Sequence, residues 1–295
     1  MDVLKEATAY LKTKGIENPR LNAEQLLGHV LGLSRMDLYL RFEQPLSSNE
    51  RNRYKTLLRR KADHEPLQYI LNETEFMSLP FKVTPDVLIP RPETETLVER
   101  IIEETDREDT TRFLDIGVGS GNIVVSLAKV LPKAEFVGVD TNDRVLTIAR
   151  ENTQRNGLEK CIRFLKADIL EEGFGKTVEG PFDMIVSNPP YISLLDWETL
   201  PREIQGYEPK SALCDNGDGL TFFRIIAQKS RELFQAKGKL FFEVGDGQSE
   251  KVQTILIKNG YQNVAAFPDL NFKERVIMGT YFKENRTATP KATAL

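Results

Sequence analysis

The chain has 295 residues, 40% hydrophobic and 28% charged, a balance that excludes a disordered or fibrous protein and, at roughly 150 residues per domain, suggests two domains. Its net charge of −4 argues against a dedicated nucleic-acid binder, whose phosphate contacts need a basic stripe. Cys161 and Cys214 form no CxxC pair and the histidines number only two, so neither a disulfide framework nor a metal site is expected, and a reducing cytoplasm fits. No apolar run approaches the about 18 residues of a membrane span, and the amphipathic N-terminus is not a signal peptide.

Val3, Leu4, Ala7, Tyr10 and Leu11 recur at helical spacing, as do Leu21, Leu26, Leu27, Val30 and Leu31, so residues 1–72 read as a small all-α domain. His29 falls on an apolar helix face and reads as structural. Ser47 and Glu50 have capping-box spacing and open a helix carrying Tyr54, Leu57 and Leu58. Arg51, Arg53, Lys55, Arg59, Arg60 and Lys61 make its outer side basic, either as a solvated surface or as a docking face for an acidic partner. Residues 73–91 change character. Phe76, Phe81, Val83, Val87 and Ile89 alternate with Pro80, Pro85 and Pro90, as in a hairpin linker.

From residue 92 the pattern is that of an α/β domain running to residue 283, with a frayed polar tail over 284–295. Strands are expected at Arg112–Gly117, Glu135–Asp140, Ile162–Asp168, Phe182–Asn188 and Lys239–Gly245, with helices at Asn122–Val130, Arg144–Asn156 and Leu220–Phe234. A helix at Gln248–Asn259 and strands near Gln262–Phe267 and Arg275–Phe282 complete seven strands. Alternating βα units imply a mostly parallel Rossmann-like sheet, and the short last link suits an antiparallel final strand.

Gly117, Val118, Gly119, Ser120 and Gly121 end the first strand of that sheet and open a helix. Glycines there permit a tight turn and close approach of a ligand, in the crevice past the strand's carboxyl end. Asp140 ends the next strand, where a carboxylate can accept hydrogen bonds from both ribose hydroxyls; the alternative is a helix N-cap. Asp168 and Ile169 close the third strand and could frame an adenine; a strand-end turn is the other reading.

The segment Asn188-Pro189-Pro190-Tyr191 closes the fourth strand. Two successive prolines hold an extended backbone with free carbonyls. The Asn188 side-chain oxygen and the Pro189 carbonyl can each accept one N–H of a planar NH2 group, and Tyr191 offers a flat face. Fixing both N–H groups aligns a delocalised lone pair with an incoming methyl group, so positioning is the main catalytic effect and no strong base is required.

These residues resemble the bacterial peptide chain release factor glutamine N5-methyltransferases over about residues 1–283. The shared segments are Pro66–Tyr69, Leu88–Glu95, Leu114–Gly121, Asn188–Ile192, Tyr207–Pro209, Gly217–Leu220 and Phe242–Gly245. The resemblance implies S-adenosyl-L-methionine as cofactor and S-adenosyl-L-homocysteine as product. It implies cofactor contacts at Gly117–Gly121, Asp140, Asp168, Ile169 and Asn188, and substrate held by Asn188, Pro189, Pro190 and Tyr191. The substrate would be the glutamine of the Gly-Gly-Gln loop of class I release factors. Members often carry an aromatic residue where this chain has Ile169. A cytoplasmic monomer without stable nucleic-acid binding is expected. The helices of 1–72 would read the protein around the glutamine, because an amide alone cannot discriminate. Arg91, Pro92 and Glu93 either line the substrate entrance or serve structure alone. The competing readings are an adenine-N6 methyltransferase acting on DNA or RNA, which would use the same Asn188–Tyr191 chemistry, and a non-catalytic binding module.

Overall fold

A computed structural model describes residues 2–41 and 45–283; the tail expected at 284–295 lies outside these described residues. Five helices come first, α1 (Asp2–Thr13), α2 (Pro19–Leu31), α3 (Arg35–Leu40), α4 (Ser48–Ala62) and α5 (Leu67–Leu71). Their periodic apolar faces meet in one core built on Leu11, Leu26, Tyr54 and Ile70. Inside it the Tyr54 hydroxyl donates to the Ala23 carbonyl at 2.9 Å. The capping box forms as expected: the Ser47 side chain accepts from the Glu50 N–H while Glu50 accepts from the Ser47 N–H.

Two side chains depart from the sequence reading. His29 is exposed rather than packed. Lys61 does not belong to the solvated basic face; it is 5% exposed and its ammonium lies 2.9 Å from the Glu203 carboxylate, far along the chain. Its position on the last turn of α4 turns it away from that face.

Strands β1 (Glu73–Phe76) and β2 (Leu79–Lys82) form an antiparallel hairpin in which Phe76 faces Leu79. The two turn residues, Met77 and Ser78, have φ of 50° and 58°, a conformation normally given to Gly or Asn. The Met77 N–H donates to Glu95 Oε1 at 2.6 Å, which helps hold this turn.

The remainder comprises α6 (Glu93–Glu103), β3 (Arg112–Ile116), α7 (Asn122–Val130), β4 (Glu135–Asp140), α8 (Asp143–Arg155), β5 (Ile162–Lys166), α9 (Phe174–Val178) and β6 (Phe182–Ser187). Then come α10 (Leu194–Trp197), α11 (Arg202–Tyr207), α12 (Lys210–Leu213), α13 (Thr221–Leu233), β7 (Phe234–Glu243), α14 (Ser249–Lys258), β8 (Gln262–Pro268) and β9 (Glu274–Phe282). The seven strands lie in the order β5-β4-β3-β6-β7-β9-β8. The first five are parallel, and β9 runs antiparallel between β7 and β8. The sheet is therefore the mostly parallel one expected, with β9 inserted inside the edge. β3 and β6 are buried along nearly their whole length, as strands covered by helices on both faces must be. No helix among the described residues is long and apolar enough to cross a membrane.

The chain moves outward from β3 to β5 in one direction and from β6 to β7 in the other. That reversal opens a crevice at the carboxyl ends of β3 and β6. The helical region also reaches it. Tyr69 shares a buried cluster with Val83, Val87 and Ile89 of the linker and with Val145 and Ile148 of α8, and its hydroxyl donates to the Val87 carbonyl at 2.7 Å.

Candidate active site

A cavity of about 470 Å³ fills the crevice. Of the residues singled out from the sequence, Gly117–Ser120, Asp140, Asp168, Ile169, Asn188, Pro189 and Pro190 line it. Gly121 and Tyr191 do not. Gly121 has a φ of 82°, and a Cβ there would come within 3.4 Å of the Ala149 Cβ, so it lets α7 start against α8. Of Arg91, Pro92 and Glu93, Arg91 lines the cavity and the other two do not, while Pro85–Leu88 and Pro90 of the linker also line it.

The loop after β3 turns through Gly117 and Gly119, with φ of 80° and 53°. A Cβ at either would meet nothing within 4 Å, so the backbone conformation, not crowding by protein, calls for glycine here. Asn152, fully buried on α8, fastens this loop to the linker hairpin. Its Oδ1 accepts from the Lys82 N–H at 2.6 Å, and its Nδ2 donates to the carbonyls of Lys82 and Ser120 at 2.9 and 2.8 Å.

The Asp140 carboxylate accepts from the N–H groups of Gly119 and Asn142 at 3.3 and 3.2 Å. The N-cap of α8 is Asn142, whose side chain accepts from the Arg144 N–H, so Asp140 is not that cap. Burial raises the Asp140 pKa while the N–H donors work against it. Asp168 accepts from the Leu170 N–H at 2.8 Å in a turn, and Ile169 is buried against the cavity. Beneath the loop, Asp115 is fully buried and neither of its oxygens has a hydrogen-bond partner. Burial first, and the neighbouring Asp140 second, push it up to about 8.

On the other side, Ser187 donates to the Ile116 carbonyl at 2.6 Å and ties the end of β6 to β3. Asn188 follows, with its Nδ2 3.4 Å from the Thr94 hydroxyl on the first turn of α6. The Tyr191 carbonyl accepts from Gln248 Nε2 at 2.8 Å, the same amide donates to the Gly219 carbonyl at 3.2 Å, and Gln248 Oε1 accepts from the Gly245 N–H at 3.0 Å. A Cβ on Gly219 would lie 2.5 Å from the Tyr191 carbonyl oxygen, and one on Gly245 would lie 3.0 Å from its ring. The Tyr191 face is thus already packed on Gly245, and its hydroxyl points to Glu243 at 3.4 Å. Arg91 pairs with Glu208 at 2.5 Å and closes the remaining wall next to Pro209. Sequence reasoning gave no role to Thr94, Asn152, Glu208, Glu243 or Gln248. Thr94, Glu208 and Glu243 stand inside the segments shared with the family, which was the available signal; Asn152 and Gln248 had none.

An open parallel sheet with a glycine loop on β3, a carboxylate ending β4 and an Asn-Pro-Pro-Tyr segment ending β6 defines a methyltransferase. Residues 107–260 match the methyltransferase domain family, and residues 2–71 match the PrmC N-terminal domain family. The release factor glutamine methyltransferase of Geobacter sulfurreducens is 42% identical over 94% of this chain and 95% of its own. That of Chlorobaculum tepidum is 39% identical over 93% and 95%. A solved release-factor-specific protein-(glutamine-N5) methyltransferase from Alicyclobacillus acidocaldarius is 30% identical and covers 68% of this chain and 98% of its own, with a TM-score of 0.40. The chain belongs to the release factor glutamine methyltransferases. The adenine-N6 and binding-module readings give way to this one.

Asp115 has a measurable consequence. Its folded pKa is raised, so the native state binds more protons than the unfolded one between about pH 4 and pH 8, and stability falls as pH rises through that window. Asp115→Asn removes the effect. Its melting temperature, measured without ligand, is expected to exceed that of the wild type by a margin that widens from pH 5 to pH 8. A constant margin would mean that Asp115 does not titrate there.

Proposed function

We propose that this chain transfers the methyl group of S-adenosyl-L-methionine to the side-chain amide nitrogen (N5) of the glutamine in the Gly-Gly-Gln loop of class I release factors, and thereby modulates translation termination. The observation that carries the reading is the meeting, in one cavity, of the glycine loop with Asn188 and Pro189. We assign the protein to the cytoplasm, as a monomer.

The residues present fit the cofactor. Gly117 and Gly119 leave open space over a backbone in the left-handed region, and Asp140 offers a carboxylate to a ribose. Asp168 and Ile169 are where an adenine would lie, with Ile169 giving apolar contact in place of an aromatic face. When bound, S-adenosyl-L-methionine supplies an electrophilic methyl group. The rest is done by the chain. Asn188 Nδ2 turns toward Thr94, leaving Oδ1 to accept one N–H of the glutamine amide. The Pro189 carbonyl accepts the other, and the Pro-Pro backbone keeps both acceptors fixed. Two acceptors facing a nitrogen that gains positive charge stabilise the transition state without reorganising. Tyr191 supports this pair by packing on Gly245 and holding the segment in place, more than by offering a free face.

The exposed side chains at the carboxyl end of the sheet support a protein substrate. Leu195 is 82% exposed just past Tyr191, and Leu270 and Phe272 are 94% and 91% exposed at the β8–β9 turn, at that same end. Exposed apolar side chains suit a protein surface better than a phosphate backbone. For the helical region, Arg51, Arg53, Lys55 and Arg59 stay exposed on α4, whose last turn reaches α11 through Lys61 and Glu203. We assign this face to docking of an acidic surface on the release factor.

Three outcomes test these statements. Asn188→Ala is expected to lower kcat on purified release factor by about 100-fold or more with little change in melting temperature; a rate within threefold of wild type removes Asn188 from the mechanism. Asp140→Ala should weaken S-adenosyl-L-methionine binding by about tenfold to a hundredfold, since charge-assisted hydrogen bonds to ribose are lost. An unchanged Kd by calorimetry would return Asp140 to a role in holding Gly119 alone. Reversing charge at Arg51, Arg53 and Lys55 together should raise KM for intact release factor and flatten its salt dependence, while a short Gly-Gly-Gln peptide is methylated as before. Equal kinetics on the intact factor would reduce that face to solvated surface.

A further inference from the structure

We propose that Thr94, with Glu243 behind it, is a positioning residue that fixes which way round the Asn188 amide is held. The inference rests on the reading that Asn188 accepts an N–H from the substrate.

A side-chain amide has two nearly isosteric orientations, one with oxygen toward a given neighbour and one with NH2. Only one is productive here. With Oδ1 toward the cavity, Asn188 accepts from the glutamine NH2; flipped, it would set one NH2 group against another. The choice is made on the side away from the substrate, where Asn188 Nδ2 lies 3.4 Å from the Thr94 hydroxyl. A hydroxyl both donates and accepts, so Thr94 alone would tolerate either orientation.

Glu243 removes that ambiguity. It ends β7 and is 1% exposed; its Oε1 accepts from the Tyr191 hydroxyl, while its Oε2 is buried without a hydrogen-bond partner, and Thr94 is the other hydroxyl close to it. An ionised carboxylate only accepts. The unpartnered Oε2 would take the Thr94 proton and leave the Thr94 oxygen to Asn188, while Tyr191 donates to Glu243 Oε1 at 3.4 Å. Asn188 N–H to Thr94 and Tyr191 O–H to Glu243 are formed, and a Thr94 O–H turned to Glu243 completes the direction of the chain. The two contacts that carry a distance are long, as such bonds often are before substrate binds. The other charged groups at Glu243 are Arg275 on β9, which favours its ionised form, and Glu93 on α6, which opposes it; burial is the largest influence and pushes it up to about 7. Protonated, Glu243 becomes a donor and can reverse the chain. The wild-type rate is thus expected to rise with pH through neutrality.

The test compares Thr94→Val, Thr94→Ser and Glu243→Gln in the full-length enzyme, with release factor as substrate. Thr94→Val keeps the shape and loses the hydroxyl. Its kcat should fall by about tenfold or more, since misorientation of a reacting group is costly, while S-adenosyl-L-methionine Kd and melting temperature stay near wild type. Thr94→Ser should recover most of the rate. Glu243→Gln should be slow and should lose the rise of kcat near neutral pH. Thr94→Val at the wild-type rate, Thr94→Ser as slow as Thr94→Val, or an unchanged pH profile in Glu243→Gln would each overturn the proposal. Asn188→Ala run in parallel separates the two levels: if it is inactive while Thr94→Val is unimpaired, only the positioning role fails; if it is active, the reading of Asn188 beneath it fails too.

Discussion

The structure depends on keeping residues 188–191 extended after their strand has ended. A strand that leaves its sheet loses its ladder partners, and each freed backbone carbonyl must find another donor or face the substrate. Prolines at 189 and 190 remove two N–H groups from the problem and leave the carbonyls. The Tyr191 carbonyl is taken by Gln248, and the Ile192 N–H donates to the Leu213 carbonyl at 2.9 Å. Asn188, Pro189 and Pro190 line the cavity. The glycines at 219 and 245 follow from the same constraint, since a side chain at either would displace Tyr191.

The opposite wall is an electrostatic arrangement. Asp115 and Asp140 sit on adjacent strands, and one of them is kept from ionising easily because it has no partner and a like neighbour. Asp140 lines the cavity and is held by backbone N–H groups, whereas Asp115 lies beneath the loop, out of reach of it.

Much of this was legible in the sequence, for reasons that also explain the gaps. Buried parallel strands such as Phe136–Val139, and Phe113–Ile116 apart from Asp115, are apolar runs that end in candidate site residues, so their ends marked the crevice. β7 begins at Phe234, ahead of the expected Lys239, because Phe234 pairs with Phe182 across an irregular register that no local pattern records. The Met77–Ser78 turn carries neither Gly nor Asn, and the short helices α10, α11 and α12 are too brief to show periodicity. Lys61 looked like one more surface charge because its partner, Glu203, is distant in sequence. Glu243 and Gln248 were hidden for the same reason: their roles exist only once β7 lies beside β6.

These long-range contacts bear on how the helical region and the catalytic sheet work together. From the sequence, residues 1–72 were expected to read the protein around the glutamine. Yet Tyr69 is buried with Val87 and Val145, both of which line the cavity. Lys61 pairs with Glu203, and the Tyr207 hydroxyl donates to the Asp63 carbonyl at 2.8 Å. Residues 203 and 207 belong to α11, and the next residue, Glu208, holds Arg91 at the cavity wall. The segment from α11 to Pro209 is therefore gripped from the helical side and from the linker at once. The helical region and the cavity wall are thus joined by one run of bonded groups, from Lys61 and Asp63 through Glu203 and Tyr207 to Glu208 and Arg91.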